Sequence, residues 1–473
     1  MIRFGTSGWR AIIADEFTFE NARRVTLAIC QYLRTIEPNN TADIIVAHDT
    51  RFLGEQFARE CAGEIMHHGF RPVVFDYPTP TPVASFAIRE RRAIGGIIIT
   101  ASHNPPEYSG IKFSTSDGAP ALPEVTKKIE EFLSENFSGD VLEQILFNKE
   151  NFKSDFESYN PRELYLADLT NKIRFDVIEQ AHGSYVFDPL WGTARDYLNH
   201  ALETHNVAIK TLHDWRDAFF GGGAPDPTAP GKLAELSEAV KSGKFTLGLA
   251  TDGDADRFSI VDRDGEAVEA NQIIALLCDY LAETRGWTNK GFARSVATTH
   301  LVDRVAKAHE RQVFETPVGF KYIGALIDKD QIILGGEESA GLSIRNHLPE
   351  KDGILACLLV AEMVAARGAS VKEQLEALYR RVGNLENGRI GVNLSPEVSK
   401  KLADKLAGEP DQIASRKIVK INRLDGVKFL FENDAWLLLR PSGTEPLVRI
   451  YAEAETKQQV QTLLRTGRDY LFG

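Results

Sequence analysis

A serine followed by a histidine and two prolines, Thr100-Ala101-Ser102-His103-Asn104-Pro105-Pro106, stands where an apolar run ends. Gly95 to Thr100 reads as a short, fully buried strand, because β-branched residues fill it and turn formers bound it. The prolines oppose a helix and predict a stiff exposed loop, which offers Ser102 as a candidate nucleophile at the strand's carboxyl end. The same composition also suits an ordinary turn.

Three further stretches bear on that choice. Thr251-Asp252-Gly253-Asp254-Ala255-Asp256-Arg257 follows the apolar run Phe245 to Ala250. Alternate carboxylates on an extended loop can converge on one hard divalent cation. An EF-hand fails on spacing, since Arg257 and Arg263 occupy the positions that need Gly and Glu. A solvated acidic turn is the plain alternative. Gly335-Gly336-Glu337-Glu338-Ser339-Ala340-Gly341 follows Ile332 to Leu334. Arg440-Pro441-Ser442-Gly443-Thr444-Glu445-Pro446 lies between Ala435 to Leu439 and the alternating strand Leu447 to Tyr451. Its guanidinium fork, hydroxyls and open N–H groups suit a phosphate monoester, and Arg449 could add a second fork. As a composition, Pro-Ser-Gly-Thr is also a common turn.

Together the four stretches resemble the α-D-phosphohexomutase family, over essentially the whole chain from Gly5-Thr6-Ser7-Gly8-Trp9-Arg10 to the Arg440 loop. The resemblance implies an α/β fold: three similar domains with mixed, mostly parallel sheets, plus a smaller C-terminal α+β domain, around a central cleft. It implies a mutase that moves a phosphoryl group between the 1 and 6 hydroxyls of glucose phosphate. Ser102 would rest as phosphoserine, and glucose 1,6-bisphosphate would be intermediate and activator. Asp252, Asp254, Asp256 and a phosphoserine oxygen on Ser102 would hold one Mg²⁺. Arg257 would hold phosphoryl oxygens, neutralise the aspartates, or do both. Acid and base candidates are His103, Lys112, Arg10 and Lys351, with a purely structural His103 the alternative. His103 adjoins Ser102 in sequence, so the two side chains are expected to diverge. Glu337 and Ser339 would grip the sugar O3 and O4, with Lys321 also on the substrate. The distal phosphate would sit on Arg440, Ser442, Gly443, Thr444 and Arg449, on a last unit expected to hinge.

Glu-Glu-Ser-Ala-Gly, followed by Glu350-Lys351-Asp352-Gly353, resembles the glucose-directed members. Mannose-directed and glucosamine-directed relatives usually carry Met or Gln in place of Glu338, and Gly-His in place of Ala340-Gly341. Ala255 stands where many relatives have Gly. Dual action on glucose and mannose phosphates stays open, and a metal-dependent sugar phosphatase is the rival of a different class.

The elements that must position these residues follow from pattern. The chain has 473 residues, 43% apolar and 26% charged, so about three or four domains with large cores are expected. Domain I spans 1–145, with helical spacing from Phe19 to Leu33, Gly54 to Gly69 and Leu122 to Phe137, and strands Asp43 to Ala47 and Pro72 to Phe75. Residues 138 to 160 read as a connection. Domain II, 160–265, carries the acidic loop, and its Gly221-Gly222-Gly223-Ala224-Pro225-Asp226-Pro227 reads as a surface connection without chemistry. Domain III, 266–375, has a helix from Asn271, strands near Arg294 to Thr298 and Gln331 to Leu334, and an apolar helix from Gly353 to Ala366. Domain IV, 380–473, has antiparallel strands about the Arg440 loop and a last helix, Gln458 to Tyr470. Ligands collect at the carboxyl ends of strands in open α/β sheets, so the four loops would face one hollow.

A formal net charge of −12 argues against nucleic acid and anionic membranes as partners and leaves anionic substrates to local Arg and Lys. Small-molecule sugar phosphates are the expected partners, for a monomer or homodimer. Cys30, Cys61, Cys278 and Cys357 show no paired spacing and read as buried thiols. With no apolar signal core at the start, a cytoplasmic location is expected.

Overall fold

The structure, a computed structural model, describes residues 2–472 apart from 6–7, 39–40, 137–155, 395–401, 403–404, 414–415 and 443–446. The first sheet contains β1 (Trp9–Ile12), β2 (Asp43–His48), β3 (Arg71–Phe75), β4 (Gly95–Ile99), β5 (Tyr108–Thr115) and β6 (Glu157–Tyr159), in the order β1-β5-β4-β2-β3-β6. β4, β2, β3 and β6 are parallel, and β5 returns antiparallel beside β4. Every residue of β4 is buried, as a strand covered on both faces requires. β6 corrects the reading of 138–160 as a connection: Glu157–Tyr159 adds an edge strand, while 138–155 lies outside the described residues.

The second sheet holds β7 (Ser184–Asp188), β8 (Ala208–Thr211), β9 (Leu247–Thr251), β10 (Phe258–Asp262) and β11 (Ala267–Val268), ordered β11-β10-β9-β7-β8. The third holds β12 (Gly291–Ser295), β13 (Val313–Thr316), β14 (Ile332–Glu337) and β15 (Gly341–Ile344), ordered β13-β12-β14-β15. One arrangement therefore recurs: parallel triplets β4-β2-β3, β9-β7-β8 and β14-β12-β13, each flanked by an antiparallel return strand, β5, β10 or β15. The turns of these three hairpins carry Ser102, the acidic triad and Glu337-Ser339. The strand expected at Arg294 to Thr298 begins earlier, at Gly291, and stops at Ser295. Ser295 Oγ takes up the Ala297 N–H at 3.2 Å, and this side-chain bond turns the chain where periodicity continues.

The last sheet is wholly antiparallel: β16 (Glu386–Asn393), β22 (Leu447–Ala454), β21 (Trp436–Pro441), β20 (Val427–Leu430) and β19 (Lys420–Asn422), in that order. β17 (Gln412–Ile413) and β18 (Arg416–Lys417) form a separate pair, and helix Lys457–Phe472 covers the sheet. The second and third units share one continuous apolar core. The first and fourth have their own, and a small cluster of Val296, Ala297, Trp436, Leu438 and Tyr451 joins the third to the fourth. All four cysteines are buried and free. Among the described residues no single helix is long and apolar enough to cross a membrane.

Candidate active site

Ser102 is buried and has φ of 54°, a left-handed conformation that costs a non-glycine residue on the order of 1 kcal/mol or more. Its surroundings impose that conformation. Ser102 N donates to Thr100 Oγ1 at 2.8 Å, and Thr100 Oγ1 donates to Asp49 Oδ2 at 2.6 Å. Arg51, fully buried, pairs with Asp49 through Nε at 3.1 Å. Its remaining N–H groups go to four loop carbonyls, Ser102, Asn104 and Pro105 at 2.7 Å and Tyr108 at 2.8 Å. All five guanidinium donors are thereby satisfied. Phe220 from the second unit lies under this guanidinium, 5.0 Å away. Sequence reasoning missed Arg51, Asp49 and Thr100 as supports, although Asp49-Thr50-Arg51 directly after an apolar strand was visible.

The acidic loop meets Ser102 from the second unit. Ser102 Oγ donates to Asp252 Oδ2 at 2.8 Å. One oxygen of each of Asp252, Asp254 and Asp256 lies within 4.8 Å of the others, and all three residues are buried. Lys112 Nζ reaches Asp254 Oδ2 at 2.5 Å and Asp256 Oδ2 at 2.8 Å, and Lys351 Nζ reaches Asp256 Oδ2 at 2.7 Å. Thr81 Oγ1 donates to Asp254 Oδ2 at 2.6 Å. The second oxygens, Asp254 Oδ1 and Asp256 Oδ1, are buried and have no hydrogen-bond partner; Arg257 Nε stands 4.0 Å from Asp256 Oδ1. Two orphaned carboxylate oxygens, in a triad whose third member accepts from the Ser102 hydroxyl, are a donor set of hard oxygens that fits a divalent cation. A solvated acidic turn is ruled out by the burial.

Backbone fit locks the loop. A Cβ on Gly253 would lie 2.8 Å from Ser102 O and 2.8 Å from Pro225 Cγ. Gly253 N also donates to Pro225 O at 3.2 Å, so the glycine- and proline-rich piece read as a surface connection is packed against the acidic loop. Helix Gly353–Arg367 starts here as well: Gly353 N donates to Ala255 O at 2.9 Å, and Asp352 caps the helix at Leu355 N, 2.9 Å.

The electrostatics follow from burial among charges. Burial, then Asp254 and Asp256, push the Asp252 carboxyl well up. Burial opposes the charge of Lys112, but Asp254 and Asp256 outweigh it and hold the ammonium above its ordinary range. Burial, with Arg257 and Arg10 close by, pushes His103 far down, which leaves a neutral imidazole. His103 Nδ1 stands 3.3 Å from Ser102 Oγ, so the expected divergence of these side chains does not occur. Local backbone turning at the left-handed Ser102 brings them together. Arg10 Nη1 donates to Asn104 Oδ1 at 2.7 Å on the same loop, and burial lowers its guanidinium.

Glu337 is buried and accepts the Gly319 N–H on Oε1 at 2.7 Å. Gly319 has φ of 128°, open only to glycine at low cost. Burial, then the neighbouring Glu338 charge, raise Glu337 to about 7 against the pull of Gly319 N–H, Lys351 and Arg257. Ser339 and Lys321 are half-buried, and burial lowers the Lys321 ammonium although Glu124 and Glu337 oppose this. Glu338 turns to Ser295 Oγ at 3.0 Å and Thr298 Oγ1 at 3.2 Å. In the fourth unit Arg440 faces Arg449 across the β21–β22 pair, and Arg440 Nε donates to Asp425 Oδ2 at 2.8 Å. Asp425 also accepts Val318 N at 3.0 Å, a link absent from the sequence reading. Ser442 N donates to Leu447 O at 2.9 Å, while Gly443 and Thr444 lie outside the described residues. A cavity of about 600 Å³ lies behind the turn between β14 and β15, lined by Glu338, Asn271, Trp436 and Tyr451, and takes in none of the Ser102 cluster.

Fold and site together define a phosphohexomutase-type enzyme: three like α/β units and a fourth, with a serine hairpin against an acidic one. Profiles described as phosphoglucomutase/phosphomannomutase alpha/beta/alpha domains I, II and III match residues 1–139, 163–265 and 269–382, and the C-terminal domain profile matches 397–466. The chain belongs to the phosphoglucomutase/phosphomannomutase family. It is 28% identical over 470 residues to the phosphoglucomutase/phosphomannomutase of Thermococcus kodakarensis, covering 98% of this chain and 97% of that one. It is 30% identical over 468 residues to a protein of Pyrococcus abyssi named provisionally as a phosphoglucosamine mutase, covering 98% and 96%. A crystal structure of a Thermus thermophilus protein, named provisionally as a phosphomannomutase, superposes with a TM-score of 0.84 at 32% identity, over 100% of this chain and 99% of that one.

Proposed function

We propose that this phosphohexomutase is a phosphoglucomutase. It would interconvert glucose 1-phosphate and glucose 6-phosphate through phosphoserine at Ser102 and a glucose 1,6-bisphosphate intermediate. The observation that carries this reading is the Ser102 hydroxyl at 2.8 Å from an acidic cage, inside a loop whose carbonyls are anchored by Arg51. In each half-reaction the Ser102 Oγ–P bond breaks and a P–O bond to a sugar hydroxyl forms, or the reverse, and the hydroxyl proton leaves to a nearby base. Asp252, Asp254, Asp256 and a Ser102 oxygen would hold Mg²⁺, which when bound withdraws charge from the transferring group. Arg257 on the acidic loop and Arg10, which reaches the serine loop from β1 through Asn104, supply fixed positive charge. Burial among cations disfavours a protonated His103, which leaves its neutral ring as a hydrogen-bond partner 3.3 Å from Ser102 Oγ, and the raised Lys112 is suited to charge stabilisation rather than proton uptake.

Glu337 and Ser339 would hold the sugar O3 and O4 in either orientation, with the distal phosphate on the Arg440 and Arg449 side. A second reading, action on both glucose and mannose phosphates, is favoured by one specific observation. Glu338, the residue that distinguishes glucose-directed members in sequence, has its Oε2 bonded to Ser295 and Thr298, so that oxygen is engaged inside the protein rather than offered to a sugar hydroxyl.

Turnover of purified protein with Mg²⁺ and catalytic glucose 1,6-bisphosphate decides between these. Glucose 1-phosphate is expected to give the highest kcat/KM among glucose, mannose and glucosamine 1-phosphates. Equal or better rates with glucosamine 1-phosphate overturn the assignment, and stoichiometric release of inorganic phosphate identifies a phosphatase instead.

A further inference from the structure

Each functional hairpin leans on the loop that follows the central parallel strand of its own sheet. After β2, residues 49–51 hold the Ser102 loop. After β7, Thr193 donates its N–H to Gly253 O at 3.0 Å and steadies the acidic loop. After β12, segment 295–300 holds the sugar loop through Glu338, whose Oε2 accepts from Ser295 and Thr298 and whose N–H donates to Thr298 Oγ1 at 3.1 Å.

Among the described residues, it is the support loop of the third sheet that is also gripped from the fourth unit. Lys428, almost wholly buried, donates from Nζ to Val296 O and meets His300 Nε2, both at 2.8 Å, with Glu315 Oε1 at 3.2 Å and the Trp436 ring 4.2 Å away. Buried Glu453 accepts from His300 N and from Trp436 Nε1, each at 2.8 Å. Val296 and Ala297 pack on Trp436, Leu438 and Tyr451. The cavity of about 600 Å³ borders this joint through Ala297, Glu338, Trp436 and Tyr451, so the joint can shift on that side without displacing packed atoms.

We propose that Glu338 is a positioning residue for the sugar loop, and that segment 295–300 couples the placement of this loop to the seating of the fourth unit. The identity of the loop's ligand rests on the reading above, whereas the coupling does not. A fourth unit drawn in by its phosphate would act on Val296 and His300, and through Ser295 and Thr298 on the residue between Glu337 and Ser339. Coupling of this kind is reciprocal.

The test is hydrogen exchange on the full, ligand-free chain with Glu338→Met, Lys428→Met and Lys428→Arg, alongside kinetics. Lys428→Met is expected to raise exchange in 335–341, and Glu338→Met to raise it in 436–441 and 447–454 as well as locally. If Lys428→Met does not fold, Lys428→Arg carries the same expectation in smaller degree. Glu338→Met should raise KM for the preferred hexose 1-phosphate roughly fivefold or more with a smaller change in kcat, and Glu338→Gln, whose amide oxygen still accepts from both hydroxyls, should restore it. Exchange changes confined to the mutated side of the joint, or equal KM for Glu338→Met and wild type, overturn the proposal. A wild-type chain that turns over no hexose phosphate would sink the functional reading, while the exchange results would still decide the coupling.

Discussion

Arg51 shows how one side chain can fix the shape of the loop that carries the candidate nucleophile. It spends five donors on Asp49 and four carbonyls of a loop about fifty residues further along the chain. A lysine there keeps the charge but has three donors on one atom and cannot span those acceptors. Arg51→Lys is therefore expected to lower kcat by about a hundredfold, the cost of displacing a reacting group by an ångström, with little change in KM. Steady-state kinetics with circular dichroism as a folding control would check this. Glu337 makes a second residue-level prediction. Its folded value of about 7 exceeds the ordinary 4.5, so the folded state holds its proton more tightly than the unfolded one. Stability contributed by this group is present at low pH and declines as pH rises from about 4.5 to 7. If the carboxylate is the form that accepts from a sugar hydroxyl, kcat/KM should fall on acidification with a midpoint near 7, well above an ordinary glutamate. Glu337→Gln should abolish that limb and raise the thermal midpoint at pH 8 more than at pH 5, read by kinetics and calorimetry. Ser102 and the triad were legible because strand, loop and carboxylate spacing are local in sequence. Arg51 and Asp425 were not, since nothing adjacent to either reveals the acceptors that folding brings.

At the scale of elements, the hairpin after each parallel triplet recurs, and its turn residues are the candidate site residues. Gly253 sits at a close approach, where Ser102 O on one hairpin meets the next. A methyl there confronts a carbonyl rather than a flexible side chain, so either the acidic loop or Ser102 must move. Gly253→Ala is expected to raise the Mg²⁺ concentration for half-maximal activity by roughly tenfold or more, as for other changes just outside a metal's ligands. Activity measured across an Mg²⁺ titration, with calorimetry to confirm folding, would show it. Existence and type of most strands and helices could be read from periodicity: Phe19–Ile36, Gly353–Arg367 and Lys457–Phe472 extend the expected helices by a few residues at most. Failures arose where polar side chains or tertiary pairing decided. Ser295 turned the chain despite apolar Val296 and Ala297, and the short Glu157–Tyr159 became a strand only because β3 offered an edge. The Gly221 to Pro227 stretch was misread because its glycines signal a loop whether it faces solvent or, as here, packs Pro225 against Gly253 directly after Phe220, which lies under Arg51.

For the whole molecule, the balance between joints matters more than any one of them. The first three units are cross-braced at the acidic cage by Lys112, Thr81, Lys351 and the docked start of Gly353–Arg367, and the second and third share a core. The fourth keeps a separate core and meets the third through a small apolar cluster with buried charges, an interface of the kind that permits relative motion. An ion bound by the triad would therefore stabilise the first three units as a body and leave the fourth nearly unaffected. In the ion-free chain Lys112 and Lys351 already offset part of the carboxylate repulsion, so removal of metal should not unfold the protein. A cation at a hundredfold excess over its Kd contributes about 2.7 kcal/mol to any folded body that binds it. Hydrogen exchange with Mg²⁺ and with a chelator should thus differ in 95–115 and 247–262, where β4, β5, β9 and β10 carry the two hairpins, and agree in 427–454. Protection that rises equally in all four units would mean that the fourth is locked to the rest, and the hinged last unit would have to be abandoned. Protection unchanged everywhere would mean that the buried aspartates hold no magnesium, whatever their spacing suggests.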